Sequence, residues 1–230
     1  MLNKALILTA ALCLSCGLEP QQSQSVKSVM DDVVTRLYEA VDETKFNTID
    51  TKFMLDFITP QEHSILATKY WTFEVNVPAV VSIMRHQDQV VVPFWLAESG
   101  FEKIEGTVAN EEYTYEIWQK RFDTGKVELG INGFDKHRPH YFVAVGPQSK
   151  SDELTLSNFY PQNQNIEKMD VGAFTYHDWD ELVITDLPDE LRGQQLLTTI
   201  RGRAREAHVI NAFRKTEHPS SAAPDQILLT

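Results

Sequence analysis

Seven histidines and 33 carboxylates give this 230-residue chain raw material for metal or acid–base chemistry, so spacing is what decides. In His137-Arg138-Pro139-His140 two imidazoles lie three apart at a turn entering a strand, where proline fixes the backbone and the side chains diverge. His177-Asp178-Trp179-Asp180 adds two carboxylates close by in sequence. Neither cluster has the i, i+4 helical pairing or the Cys/His spacing of a well-specified site, so turn or surface histidines are expected and no metal ligand is assigned. The chain has no Gly-x-Ser-x-Gly, no thiol besides Cys13 and Cys16, and no phosphate-cradling Gly-x-x-x-x-Gly-Lys loop. Nothing marks a glycosidase-like pair among the carboxylates. No catalytic residue and no cofactor are assigned, and a non-catalytic region is expected.

Aromatic residues offer a binding chemistry instead. Over residues 113–120 the alternation puts Trp118 on the face of Thr114, Glu116 and Lys120, opposite Tyr113, Tyr115 and Ile117. A tryptophan among polar neighbours can stack on a sugar ring; packing beneath the N-terminal helix is the structural alternative. Trp95, in Pro93-Phe94-Trp95-Leu96, reads as a core anchor.

These residues need elements to carry them. Val26, Val29, Met30, Val33, Val34, Leu37, Tyr38 and Val41 recur at helical spacing and predict a helix with one apolar face. Thr59-Pro60-Gln61-Glu62 is a capping box with proline at the first helical position, predicting a helix over about 60–67. From Trp71 the period changes to two, as Trp71, Phe73, Val75 and Val77 alternate with Thr72, Glu74 and Asn76. Further strands are predicted at 80–84, 90–92, 106–109, 113–120, 126–130 and 140–145, with turns at Asp123-Thr124-Gly125 and Asn132-Gly133. The fold class read from this is mainly β: an antiparallel β-sandwich with an N-terminal helical segment and a second small β-rich segment. That second segment carries strand signals at 182–185, 196–200 and 208–213.

The N-terminus gives the compartment. Lys4, an apolar run over 5–14 and then Ser15-Cys16-Gly17 have the order of a secretory signal, and the run is too short to span a bilayer. Cys16 resembles the lipid-accepting cysteine of bacterial lipoproteins, which would anchor the protein at the outer membrane or cell surface. Cleavage and release is the alternative. The mature chain would then hold no disulfide and depend on a packed core, which 42% hydrophobic composition can supply. The net charge of −12 becomes −13 once Lys4 leaves, a field that repels polyanions, so no nucleic-acid partner is expected. Arg192, Arg201, Arg203, Arg205, Arg214 and Lys215 form the one basic stretch, read as a solvated face.

The organisation expected is therefore a signal at 1–15, lipidated cysteine and tether at 16–25, a helical segment at 26–70, a β-sandwich at 71–147 and a second β-rich segment at 148–216. Residues 217–230 read as a linker and the start of another strand, as in a chain truncated from a longer polypeptide.

Three stretches resemble the N-terminal region of exported purple-acid-phosphatase-like (calcineurin-like) metallophosphoesterases. They are Trp71-Thr72-Phe73-Glu74-Val75-Asn76-Val77-Pro78, Tyr115-Glu116-Ile117-Trp118-Gln119-Lys120-Arg121-Phe122, and Leu129-Gly130-Ile131-Asn132-Gly133-Phe134-Asp135-Lys136-His137-Arg138. Pro224-Asp225-Gln226-Ile227-Leu228-Leu229-Thr230 is similar to the opening of the fibronectin-type domain that precedes the catalytic domain in that family. The resemblance implies two-metal phosphoester hydrolysis by a C-terminal domain of the same polypeptide. The family's metal-ligand motifs are not met: there is no Gly-Asp and no Asn-His pair, and Asp135-Lys136-His137 matches Asp-x-His in letters only. Residues 1–230 are thus expected to be a non-catalytic accessory scaffold. The alternatives are a stand-alone carbohydrate-binding surface lipoprotein using Trp118, a structural module without a ligand, and an independent enzyme.

Overall fold

The computed structural model describes residues 24–134, 140–160, 162, 165–176 and 182–198. Cys16, His137, the cluster at 177–180, the strand predicted at 208–213, the basic residues beyond Arg192 and the tail from 217 lie outside the described residues.

Helix α1 (Val26–Ala40) begins at a capping box, where the Ser25 side chain accepts from the Ser28 backbone N–H, and it buries Val26, Val29, Met30, Val33, Val34 and Leu37. The predicted face thus holds from Val26 to Leu37, whereas Tyr38 is 38% exposed and meets Phe46 edge-on, and Val41 is the extended C-cap beyond the helix end, only partly buried. A 3-10 turn (Glu43–Thr48) and α2 (Thr51–Phe57) follow, neither of which the periodicity signalled. Helix α3 (Pro60–Thr68) starts at the predicted capping box: Thr59 accepts from Glu62 N–H, and Glu62 Oε2 accepts from Thr59 N–H at 2.7 Å. The other Glu62 oxygen takes Arg36 at 2.5 Å, tying α3 to α1.

Eleven strands follow among the described residues: β1 (Trp71–Val75), β2 (Ala79–His86), β3 (Glu102–Asn110), β4 (Thr114–Phe122), β5 (Gly125–Leu129), β6 (Phe142–Pro147), β7 (Leu156–Tyr160), β8 (Asn165–Lys168), β9 (Phe174–Tyr176), β10 (Leu182–Asp186) and β11 (Gln195–Thr198). They form a three-stranded sheet, β5-β1-β7, and an eight-stranded sheet, β8-β11-β6-β2-β4-β3-β10-β9, with antiparallel pairing. The fold is mainly β, with the helical segment at its N-terminal end. Strands from beyond residue 148 share both sheets with those before it: β7 pairs with β1, β11 with β6, and β10 with β3.

Strand alternation builds two cores. On β2, Ala79, Val81 and Ile83 face a first core made with Phe73 of β1, Val127 and Leu129 of β5, and Val29, Leu37, Met54 and Leu66 of the helices. Met84 faces the other way, into a second core with Tyr115, Ile117, Phe142, Ala144, Ile184 and Leu196. The long sheet curls around this second core, bringing its end strands within reach, so that Phe174 N–H on β9 donates to Glu167 Oε1 on β8 at 3.2 Å.

One predicted strand is corrected. Val90, Val91 and Val92 are β-prone in composition but lie in the loop between β2 and a short helix, α4 (Phe94–Glu98). The carbonyls of Gln89 and Val91 accept from the Arg85 guanidinium instead of from a neighbouring strand. Trp95 of α4 is 1% exposed and donates its indole N–H to Ile131 O at 2.5 Å, as an anchor should.

Candidate functional site

The residues with most chemistry converge on Glu116, the third residue of β4. Register places Arg85 of β2 directly opposite Glu116, and Lys103 of β3 opposite Trp118. Between Ile104 and Thr107 the β3–β4 register shifts, and Gly106 takes a φ of +94° that a side chain would resist. This bulge realigns β3 so that Thr107 comes opposite Glu116.

Both Arg85 and Glu116 are buried. Their side chains are directly bonded, and Arg85 also donates to Gln89 O and, at 3.0 Å, to Val91 O. Glu116 accepts from Trp118 Nε1 at 2.8 Å on one oxygen and from Lys103 Nζ at 2.6 Å on the other. Burial pushes the Glu116 carboxyl up, but the hydrogen bonds from Lys103, Trp118 and Arg85 together outweigh it and hold the group below its ordinary value. An isolated carboxylate here would be strongly penalised; three donors make it a fixed anion.

Above this carboxylate an open groove of about 490 Å³ is lined by Gln87, Lys103, Ile104, Glu105, Thr107 and Glu116. Lys103 leaves 55% of its side chain in solvent while keeping its bond to Glu116, so the groove presents an ammonium beside a carboxylate. Trp118 is half-buried on the predicted polar face of β4, packed against the first core, with its indole N–H committed to Glu116. Trp118 does not line the groove and is linked to it through its bond to Glu116.

The histidines fall elsewhere. His140 is buried, with Nε2 2.7 Å from Tyr70 Oη and Nδ1 against Tyr141 O, and it packs among Tyr70, Trp71 and Tyr141. His86 lies at the end of β2 against Tyr113 and Tyr115, and burial lowers its basicity against the opposing pull of Asp88. Nearby, Asn110 donates to Tyr115 Oη and Thr175 Oγ1, and burial raises the Tyr115 phenol well above its usual range. Among the described residues no three His, Cys, Asp or Glu side chains gather as a metal site, and no helix is long and apolar enough to cross a membrane.

Trp118 and the face it shares with Glu116 were legible in the sequence; Arg85, Lys103 and Gln89 were not singled out. A signal existed for Arg85. It continues the inward phase of Ala79, Val81 and Ile83, which is an unusual place for a cation.

The fold and this site define a mainly β protein of two antiparallel sheets, with a helical N-terminal segment and a groove lined in part by the carboxylate of a buried ion pair. No family model, curated protein or solved structure matches the chain.

Proposed function

We propose that this chain is the non-catalytic N-terminal scaffold of an exported purple-acid-phosphatase-like metallophosphoesterase, held at the membrane by lipid on Cys16. Phosphoester hydrolysis, with its two-metal centre, belongs in this reading to a C-terminal domain of the same polypeptide. One observation carries it: each stretch that bears the resemblance contributes residues to the packed core. Trp71, Phe73 and Val75 on β1, Ile117 on β4, and Leu129, Ile131 and Phe134 at and beyond the end of β5 are all buried. A likeness that takes in these core positions fits a supporting role.

The test is an assay of this chain alone with p-nitrophenyl phosphate and added Zn²⁺, Fe³⁺ or Mn²⁺. No turnover is expected, and turnover would overturn the reading. Immunoblotting of source-cell membranes supplies the second arm. A native species well above 26.3 kDa is expected, whereas a membrane band at that mass would contradict the scaffold assignment. Cys16→Ala should move the protein from the membrane to the soluble fraction.

A second reading, a stand-alone carbohydrate-binding surface lipoprotein, is supported by the groove at Glu116 beside Trp118.

A further inference from the structure

We propose that the groove over Glu116 binds one sugar ring through a vicinal pair of hydroxyls, one donating to the Glu116 carboxylate and the other accepting from Lys103. Trp118 acts as a positioning residue for Glu116 and does not serve as a stacking platform. This rests on the carbohydrate-binding reading of the groove and holds whether the chain stands alone or belongs to a longer polypeptide.

The first argument is charge. Glu116 is matched by Arg85 beneath it and Lys103 beside it, and Glu105 adds an anion at the rim. An anionic ligand meets two carboxylates in an acidic protein, and a simple cation meets a carboxylate already occupied by two cations. A neutral ligand rich in both donors and acceptors escapes both penalties. The second is geometry. Carboxylate and ammonium are in contact at 2.6 Å, so neighbouring hydroxyls on one ring can address the pair together. Thr107 and Gln87 are exposed along the same groove and extend the polar rim, while half-buried Ile104 offers an apolar surface to the ring's C–H groups. The third is preorganisation. Three donors fix the carboxylate before any ligand arrives, so little ordering cost remains for binding. The Trp118 N–H is one of those donors.

The test is an amide NMR titration of the full chain with methyl α-glucopyranoside, methyl α-mannopyranoside and methyl β-galactopyranoside, with ethanol as the control lacking a diol. Saturable shifts at Gly106 and Thr107 are expected with at least one sugar, at a Kd on the order of millimolar. Lys103→Met keeps the aliphatic stem of an exposed residue and should weaken binding about tenfold. Trp118→Phe keeps a ring but removes the N–H and should weaken it as well. Unsaturated shifts with every sugar, or saturable binding indifferent to Lys103→Met, overturn the site. Binding unaffected by Trp118→Phe overturns the positioning role. The phosphatase assay and the native mass read neither result, so the scaffold reading and this one fail separately.

Discussion

Arg85 on β2 and Glu116 on β4 stand directly opposite each other in register, bonded side chain to side chain, with Arg85 3% exposed and Glu116 8%. The pair joins two otherwise unrelated features. From Arg85 bonds run to Gln89 O and Val91 O, and from Glu116 they run to Lys103 and Trp118.

Removing one partner leaves a buried charge without its counter-ion, which costs about 3–5 kcal/mol. Glu116→Ala should lower the urea midpoint accordingly, and so should Arg85→Ala. Arg85→Met with Glu116→Leu should recover much of the loss, since neither charge then remains. A double-mutant cycle that shows the two singles simply adding would mean the pair is not coupled.

Acid should reach the same pair. The Glu116 carboxyl is held below its ordinary value near 4.5, so its folded-state proton affinity is depressed. Its stabilisation is full above the unfolded value and is lost as pH falls through the lower, folded one. His86 is also depressed, below 6.5, chiefly by burial and against the pull of Asp88, so its contribution too is lost as pH falls. Urea midpoints should therefore drop in two stages on acidification, the His86 stage first. Glu116→Gln should shrink the more acidic stage, which Asp42 shares through its hydrogen bonds from Thr44, and leave the other.

A close approach fixes Gly130. A Cβ there would lie 2.5 Å from Trp95 Cδ1, and the indole cannot swing away because its N–H is bonded to Ile131 O. Gly130→Ala should destabilise by about 1–3 kcal/mol, read as a lower thermal midpoint. The change should quench or shift Trp95 fluorescence as the ring is displaced.

At the start of α3 the Thr59 side chain accepts from the Glu62 N–H. Thr59→Ala should cost about 1 kcal/mol in chemical denaturation. Glu62→Ala should cost more, because it removes both the return bond to Thr59 N–H and the 2.5 Å bond to Arg36 on α1. Equal losses would mean that the link between α1 and α3 contributes nothing.

Local chemistry was readable wherever one element contains its own cause. The apolar spacing from Val26 to Leu37 specified the buried face of α1, and Thr59-Pro60-Gln61-Glu62 specified the start of α3. Alternation located β1, β2 and β4 and put Trp118 on the face of Glu116. Where alternation was weak it gave no warning: β7 and β8 are short and largely exposed, β9 is only three residues long, and all three went unpredicted. The valines at 90–92 misled in the opposite sense, because β-propensity describes a side chain's fit to a sheet and says nothing about whether a partner strand exists.

By itself the sequence determined the mainly β class, the amphipathic first helix and which side chains of each strand face together, since periods of 3.6 and 2 are properties of one chain segment. Tertiary structure alone decided that β7 returns to β1, that β11 inserts between β6 and β8, and that the long sheet curls over its own core. It also decided that Arg85 meets Glu116 and that a groove opens above them. Period fixes a face but not a neighbour. Which strand lies alongside is settled by contacts between residues far apart in the chain, 31 positions for Arg85 and Glu116 and 84 for Glu74 and Asn158, and no local spacing encodes that.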